Sequence, residues 1–307
     1  MITSCSEGTL GLTLAANGVT DTAGNTGPST SASSSTITID RTGPSLSLAK
    51  SALQANPANS SLISFTLTSN ETLDTSTVTA SDFTVANGST PTVSCSGTSC
   101  TITTTATGQG DVSIAPSGTF SVADPSGNTT TTASGTDRTV TFDSVAPTLT
   151  LEQATGQADP AKANPINFTL TGSEALLAST VTSSDFTATN GTIGTISCSG
   201  SSCTIPVTAS AQGTVSLAPS GTFSVTDPAG NATTTASGTD RSVIFDSVAP
   251  TATVTSPASP TNASAPTFTV NFSETVSGLA ASDFTTSGTA TGCVIGTPSA
   301  ASGTSMT

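Results

Sequence analysis

The seven residues FDSVAPT occupy positions 142–148, and the same seven letters return at 245–251. A related stretch, IDRTGPS, stands at 39–45. The acids within these stretches, Asp40, Asp143 and Asp246, follow one another at intervals of 103 residues. An acid, a short bend and a proline that recur at a constant interval indicate joints between copies of one structural unit.

Other motifs recur at the same interval of 103 residues. The stretches DTAGN, DPSGN and DPAGN begin at residues 21, 124 and 227, and the stretches SCSGTSC and SCSGSSC begin at 94 and 197. The joints therefore divide the chain into the C-terminal part of a module at 1–42, complete modules at 43–145 and 146–248, and the N-terminal part of a module at 249–307. The two partial segments, of 42 and 59 residues, together make close to one period.

Hydrophobic residues alternate with polar ones within each module, as in a strand with one buried face. Ile63, Phe65 and Leu67 follow this pattern, and similar triplets occur in the later copies. The sequence is rich in Thr and Val, which favour strands, and in Gly, Pro, Asn and Asp, which favour turns. About seven short strands per module predict an all-β fold in which two sheets pack as a β-sandwich.

Four short motifs in a fixed order, FTLTGSE, SSDFTATNGT, SVTDPAGN and FDSVAPT, resemble the bacterial immunoglobulin-like (Ig-like) repeats of very large secreted adhesins and biofilm-associated surface proteins. The resemblance covers essentially the whole chain. It implies tandem Ig-like modules of about 103 residues in a linear array at the cell surface. It also implies Ca²⁺ at the linkers, where the ion stiffens many arrays of this family.

Composition excludes several functions. The formal net charge is −14, with only five Lys and Arg, so the chain lacks the cationic surface that nucleic acids and anionic lipids require. No segment approaches the roughly 20 apolar residues of a membrane-spanning helix, so we expect no membrane insertion. The sequence has no His and no G-x-S-x-G motif, and we expect no enzymatic activity.

Acidic residues are predicted to meet at each joint. In an Ig-like module the linker, the B–C loop and the F–G loop share one pole. Carboxylates placed there would repel one another unless a cation with oxygen ligands such as Ca²⁺ compensated them. Alternatively, the aspartates serve only as turn residues that bond their own backbone. The candidate ligands are Asp40, Glu71 and Asp124; Asp143, Glu174 and Asp227; and Asp246 and Glu274.

The six cysteines fall into two groups. Cys95 and Cys100 flank a predicted hairpin, as do Cys198 and Cys203, so each pair is placed to form a cross-strand disulfide, which implies an oxidising, extracellular setting. Reduced buried cysteines are the alternative. Cys5 and Cys293 have no partner within a complete module and would meet only if the two partial modules met, as an intermolecular disulfide.

These features favour a structural function, as the repeat region of an extracellular bacterial surface fibre or adhesin stalk with junction calcium and intramodule disulfides. The expected partners are neighbouring Ig-like modules. One alternative is a self-complementing filament subunit whose terminal half-modules complete each other head to tail. The partners would then be identical subunits. A second alternative is an adhesin module that binds a ligand directly. We interpret Arg138 and Arg241 as structural residues that could pair with the neighbouring Asp137 and Asp240; an exposed pair of that kind contributes only about 0 to 1 kcal/mol.

Overall fold

A computed structural model describes Ile2 and residues 4–307 of the chain. Strands account for 42% of the residues and short helical turns for 5%, and no helix of seven or more residues occurs in this described part. The predicted all-β fold class is thereby confirmed. No helix among the described residues is long and apolar enough to cross a membrane.

The first segment contains six short strands that pair as nested antiparallel hairpins, β1 with β6, β2 with β5 and β3 with β4. The strands are β1 (Gly8–Leu10), β2 (Thr13–Leu14), β3 (Val19–Thr20), β4 (Thr26–Gly27), β5 (Ala32–Ser33) and β6 (Ile37–Ile39).

Residues 43–145 form two principal sheets, with strand orders β10-β11-β8-β7 and β15-β12-β9, and a small hairpin, β13-β14. The strands are β7 (Leu46–Lys50), β8 (Leu62–Ser69), β9 (Phe83–Ala86), β10 (Thr92–Ser96), β11 (Ser99–Thr105), β12 (Gly110–Pro116), β13 (Val122–Ala123), β14 (Thr129–Thr130) and β15 (Thr139–Phe142). Two 3₁₀ turns, Thr75–Thr77 and Ala80–Asp82, connect β8 to β9.

Residues 146–248 repeat this arrangement, with strand orders β16-β17-β21-β19 and β18-β22-β25, strand β20 also paired to β21, and the hairpin β23-β24. The strands are β16 (Leu149–Gln153), β17 (Ile166–Gly172), β18 (Phe186–Thr189), β19 (Gly191–Ile193), β20 (Ser197–Ser199), β21 (Ser202–Ala209), β22 (Gly213–Pro219), β23 (Val225–Thr226), β24 (Ala232–Thr233) and β25 (Ser242–Phe245). The 3₁₀ turns Ala178–Thr180 and Ser183–Asp185 take the same place as in the preceding repeat.

The last segment forms one antiparallel sheet of order β26-β27-β28, together with the 3₁₀ turn Ala281–Asp283. Its strands are β26 (Ala252–Thr255), β27 (Thr269–Ser277) and β28 (Ser302–Met306).

Two separate hydrophobic cores follow from the alternating pattern. One core is formed by residues between Leu46 and Phe142, and the other by residues between Leu149 and Phe245. Within β8, Ile63, Phe65 and Leu67 are fully buried, whereas the Ser and Thr residues between them are partly exposed. Each core therefore belongs to one of the predicted complete modules, although the boundaries at 42, 145 and 248 stay predictions.

Both predicted intramodule disulfides are present. Cys95 on β10 lies directly opposite Cys100 on β11, with 4.0 Å between their Cα atoms, and Cys198 and Cys203 repeat this geometry. Cys5 and Cys293 are free in the single chain. Their predicted intermolecular bridge stays a prediction.

Among the described residues, Arg138 and Arg241 do not form the suggested ion pairs with Asp137 and Asp240, although both make structural contacts. Arg138 donates to the backbone carbonyls of Ala133 and Leu48, and Arg241 makes the equivalent bonds in the next repeat. Asp137 instead pairs with Lys50, at 2.8 Å. Each arginine thus donates to backbone carbonyls of the first strand of its own repeat and of the irregular segment before the last strand.

In residues 43–145 this irregular segment passes very close to β7 at Gly135 (φ +110°), where a Cβ atom would collide with the carbonyl oxygen of Leu48.

Candidate metal centres at the joints

The joint between the two complete repeats brings together three carboxylates from three chain segments. Asp143 directly follows β15, Glu174 lies two residues beyond β17, and Asp227 directly follows β23. Each offers a carboxylate oxygen, and these three oxygens all lie within 4.8 Å of one another. We call this group the second cluster.

The preceding joint has the same arrangement. Asp40 directly follows β6, Glu71 lies two residues beyond β8, and Asp124 directly follows β13. Their three carboxylate oxygens also lie within 4.8 Å of one another, and we call this group the first cluster. Six of the eight predicted metal ligands are therefore assembled into two groups of three, as the 103-residue repeat predicts.

The linker aspartates also shape the bend that follows them. The Oδ1 atom of Asp143 accepts a hydrogen bond from the backbone N–H of Val145 at 3.1 Å. Asp40 accepts the equivalent bond from Thr42, and Asp246 from Val248. This bond two residues ahead is the local contact that Asp makes in turns, and it leaves the second carboxylate oxygen able to face the joint.

Asp124 and Asp227 lie at the base of the DPSGN and DPAGN turns and are almost completely buried. Asp124 accepts hydrogen bonds from the backbone N–H and the side-chain amide of Asn128, at 3.0 and 2.8 Å. Burial raises the pKa of Asp124, but the bonds from Asn128 and from the neighbouring backbone outweigh burial and hold the pKa below 3.8. The carboxylate therefore stays charged, which suits both a turn residue and a metal ligand.

Asn231 adds a direct contact across the second joint. Its side-chain amide donates to Asp227 at 2.8 Å and to the backbone carbonyl of Asp143 at 2.9 Å. The loop that holds Asp227 is thereby bonded to the linker that holds Asp143. The second cluster is thus positioned by hydrogen bonds that do not depend on an ion.

In both clusters the pKa of the glutamate is raised. Burial raises the pKa of Glu71 above 4.5, and the charges of Asp40, Asp124 and Glu7 raise it further. Glu174 is affected in the same way by burial and by Asp143 and Asp227. Like charges held this close favour a proton or a cation among them.

The third predicted group is incomplete in the described chain. Asp246 follows β25 and Glu274 lies on β27, and burial together with the charge of Asp246 raises the pKa of Glu274. The Oε1 atom of Glu274 is buried and has no hydrogen-bond partner. No third acidic residue joins this pair among the described residues.

Sequence reasoning missed Glu7. Its Oε1 atom accepts hydrogen bonds from the backbone N–H of Arg41 at 2.9 Å and from the hydroxyl of Thr42 at 2.7 Å. In the next two joints Gln109 and Gln212 occupy the equivalent position and accept from Ser144 and Ser247. The strand pairing shows that Glu7 and Gln109 are equivalent, because Gly8 pairs with Ile39 as Gly110 pairs with Phe142. The sequence alone does not show it, since Glu7 and Gln109 are 102 residues apart and not 103.

The chemistry of these clusters is that of hard cations. All candidate side-chain donors are carboxylate oxygens, and neither nitrogen nor sulfur takes part. Ca²⁺ and Mg²⁺ take such ligands, whereas Zn²⁺ sites are usually built from Cys and His. Ca²⁺ tolerates irregular geometry and six to eight ligands better than Mg²⁺ does, so three carboxylates from separate segments suit it.

No protein-family model matches this sequence, and no curated protein matches it.

Proposed function

We propose that this chain is a structural repeat region of an extracellular bacterial surface fibre or adhesin stalk. In this proposal, residues 43–145 and 146–248 are complete Ig-like modules joined in a linear array. The observation that carries the proposal is the equivalence of the two clusters, since the same arrangement of carboxylates at successive joints suits a repeated mechanical connection.

Calcium is the proposed ligand of both clusters. Each cluster joins a linker aspartate to two loops of the module that follows it, so a bound ion would fix the linker to that module. Bending at the joint would then require breaking metal bonds as well as displacing side chains. Without the ion, three close carboxylates repel, and the joint is expected to be looser.

Several features support an extracellular, structural function over a catalytic one. Two disulfides close hairpins at equivalent positions of the repeats, and disulfides persist mainly in oxidising compartments. The recurring groups of acidic side chains lie at the joints. A strand rises about 3.3 Å per residue, so we expect each module to lengthen the array by roughly 35 to 40 Å.

Small-angle X-ray scattering of the dilute chain, with Ca²⁺ and with chelator, tests this function. We expect an elongated particle in both conditions and a narrower distribution of shapes with Ca²⁺. Asp143→Asn should abolish the effect of Ca²⁺ at the second joint, whereas Asp240→Asn, which makes the same charge change at an exposed site outside both clusters, should retain it. A compact particle would refute the stalk, and an elongated particle indifferent to Ca²⁺ would refute only the calcium joints.

A further inference from the structure

The glutamate of the second cluster lies in a loop that a cysteine hairpin holds on both sides. The backbone N–H of Gly172 donates to the carbonyl of Ser201 at 2.8 Å. The backbone N–H of Leu176 donates to the carbonyl of Gly200 at 2.9 Å. Gly172 and Leu176 stand two residues before and two residues after Glu174. The hairpin therefore fixes the backbone on either side of this glutamate.

The first complete repeat has the same contacts. The N–H of Ser69 donates to the carbonyl of Thr98 at 2.8 Å, and the N–H of Leu73 donates to the carbonyl of Gly97 at 3.0 Å. Glu71 stands midway between the two donors. All of these bonds join backbone atoms, so they do not depend on whether the hairpin turn reads Gly-Thr or Gly-Ser.

A disulfide lies directly behind the turn that supplies these carbonyls. Gly200 and Ser201 are the two central residues of the turn between β20 and β21, and Gly200 has the positive φ (+58°) that suits its place in a two-residue hairpin turn. One residue pair separates the turn from the Cys198–Cys203 bridge. The bridge therefore fixes the position of the turn relative to both strands.

The strand before the turn has few other contacts that hold it in place. Among the described residues, β20 pairs only with β21, through three residue pairs, whereas β10 forms five pairs with β11. The strand after the turn is anchored independently, because β21 pairs with β17 and Cys203 is fully buried. Two short strands paired only with each other are marginally stable, so the bridge should matter more in the second complete repeat than in the first.

We propose that each hairpin disulfide positions the loop that carries the glutamate of its own joint, so that loss of the bridge loosens the cluster without unfolding the repeat. The contacts continue from the hairpin to another member of the cluster. The N–H of Leu177, next to Leu176, donates to the carbonyl of Thr226 at 2.8 Å, and Asp227 follows Thr226. The disulfide thus acts on the second cluster through backbone bonds alone.

The inference deepens the proposed function and rests on it for calcium, whereas the positioning of the loop needs no ion. If the released loop of Glu174 is in place in about a tenth of the molecules, the apparent affinity for Ca²⁺ falls about tenfold, because only those molecules offer the complete cluster.

Amide hydrogen exchange of the full chain, followed by NMR in chelator, tests the positioning without calcium. The chain used has its two free cysteines replaced by serine. In Cys198→Ala/Cys203→Ala we expect the exchange of the Leu176 N–H to accelerate about tenfold more than that of the Leu217 N–H, which lies on β22 in the other sheet. Equal acceleration of both amides would make the disulfide a general stabiliser and would overturn the proposal.

Two matched variants separate positioning from lost stability. Val215→Ala truncates a fully buried side chain on β22 and leaves the hairpin intact, so it should not accelerate Leu176 relative to Leu217. A relative acceleration as large as that of the cysteine variant would count against the proposal. Cys95→Ala/Cys100→Ala should accelerate the exchange of Leu73 and leave that of Leu176 unchanged, since each bridge acts on its own joint.

Isothermal titration connects the positioning to the proposed calcium sites. With the first site removed by Asp124→Asn, Cys198→Ala/Cys203→Ala should weaken Ca²⁺ binding at the second site about tenfold, whereas Val215→Ala should retain the affinity. Unchanged affinity in the cysteine variant would overturn the coupling. Absence of Ca²⁺ binding with both bridges intact would refute the calcium joints, and the exchange rates in chelator would still decide whether the disulfide positions the loop.

Discussion

Truncating one buried phenylalanine should separate the unfolding of the two complete repeats. Phe168 is fully buried in the core between Leu149 and Phe245, and Phe65 holds the equivalent position in the other core. Replacing a buried Phe by Ala costs roughly 3–5 kcal/mol through lost transfer energy and the cavity that remains. At about 2.1 cal/mol/K per residue, the melting temperature of a 103-residue module falls by roughly 4.6 °C for each kcal/mol of stability lost, so its transition should fall by about 14–23 °C.

Differential scanning calorimetry measures this effect. Because the two cores are built alike, we expect their wild-type transitions to overlap. Phe168→Ala should lower one transition and leave the other in place, and Phe65→Ala should lower the other one. Phe268→Ala is the matched control at dilute concentration: its half-exposed ring should cost only about 1 kcal/mol and move neither main transition. A single transition that shifts as a whole in Phe168→Ala would refute the division into independent modules.

Three further predictions concern the joints and the hairpins. In chelator, the raised pKa values of Glu71 and Glu174 mean that the folded chain binds more protons than the unfolded chain above pH 4.5, so the contribution of these groups to stability should rise as pH falls from neutral towards that value. With Ca²⁺ present, stability should instead fall as the pH falls, because protons compete with the ion for the carboxylates. Thermal unfolding measured across this pH range checks both expectations. A melting temperature that does not change with pH in chelator would contradict the first. Reductant should lower the stability of each complete repeat by about 2 kcal/mol, the low end of the usual range, since each disulfide closes a very short loop. The double variant Cys5→Ser/Cys293→Ser, which keeps only the two hairpin disulfides, should show the same loss in thermal unfolding. An unchanged melting temperature on reduction would contradict the prediction. Glu7→Gln keeps the hydrogen-bonding oxygen but removes the fourth carboxylate of the first joint, so calorimetry should find weaker Ca²⁺ binding there and unchanged binding at the second joint.

The strands and both carboxylate clusters could be predicted from the sequence because they depend on local periodicity and on repetition. The alternation at Ile63, Phe65 and Leu67 indicates a buried face whatever the partner strand, and the 103-residue interval transfers each acid from one copy to the next. The cysteine hairpins follow from the same local symmetry, since Cys95 and Cys100 stand at equal distances from one turn.

Other contacts depend on packing between distant segments, which periodicity does not encode. Arg138 has Asp137 beside it in the sequence, yet its guanidinium group turns to the carbonyls of Leu48 and Ala133, because buried carbonyls without partners cost more than an exposed ion pair gains. Glu7 lies 34 residues from Arg41 and contacts it only because β1 pairs with β6.

Isothermal titration of the monomeric chain with Ca²⁺ tests the central claim most directly. Two ions should bind per chain at neutral pH. Asp124→Asn should remove the first site alone and Asp227→Asn the second alone, while Asp240→Asn should retain both. Absence of Ca²⁺ binding in wild type, or two sites that persist in the Asp124→Asn/Asp227→Asn double variant, would contradict calcium at the joints.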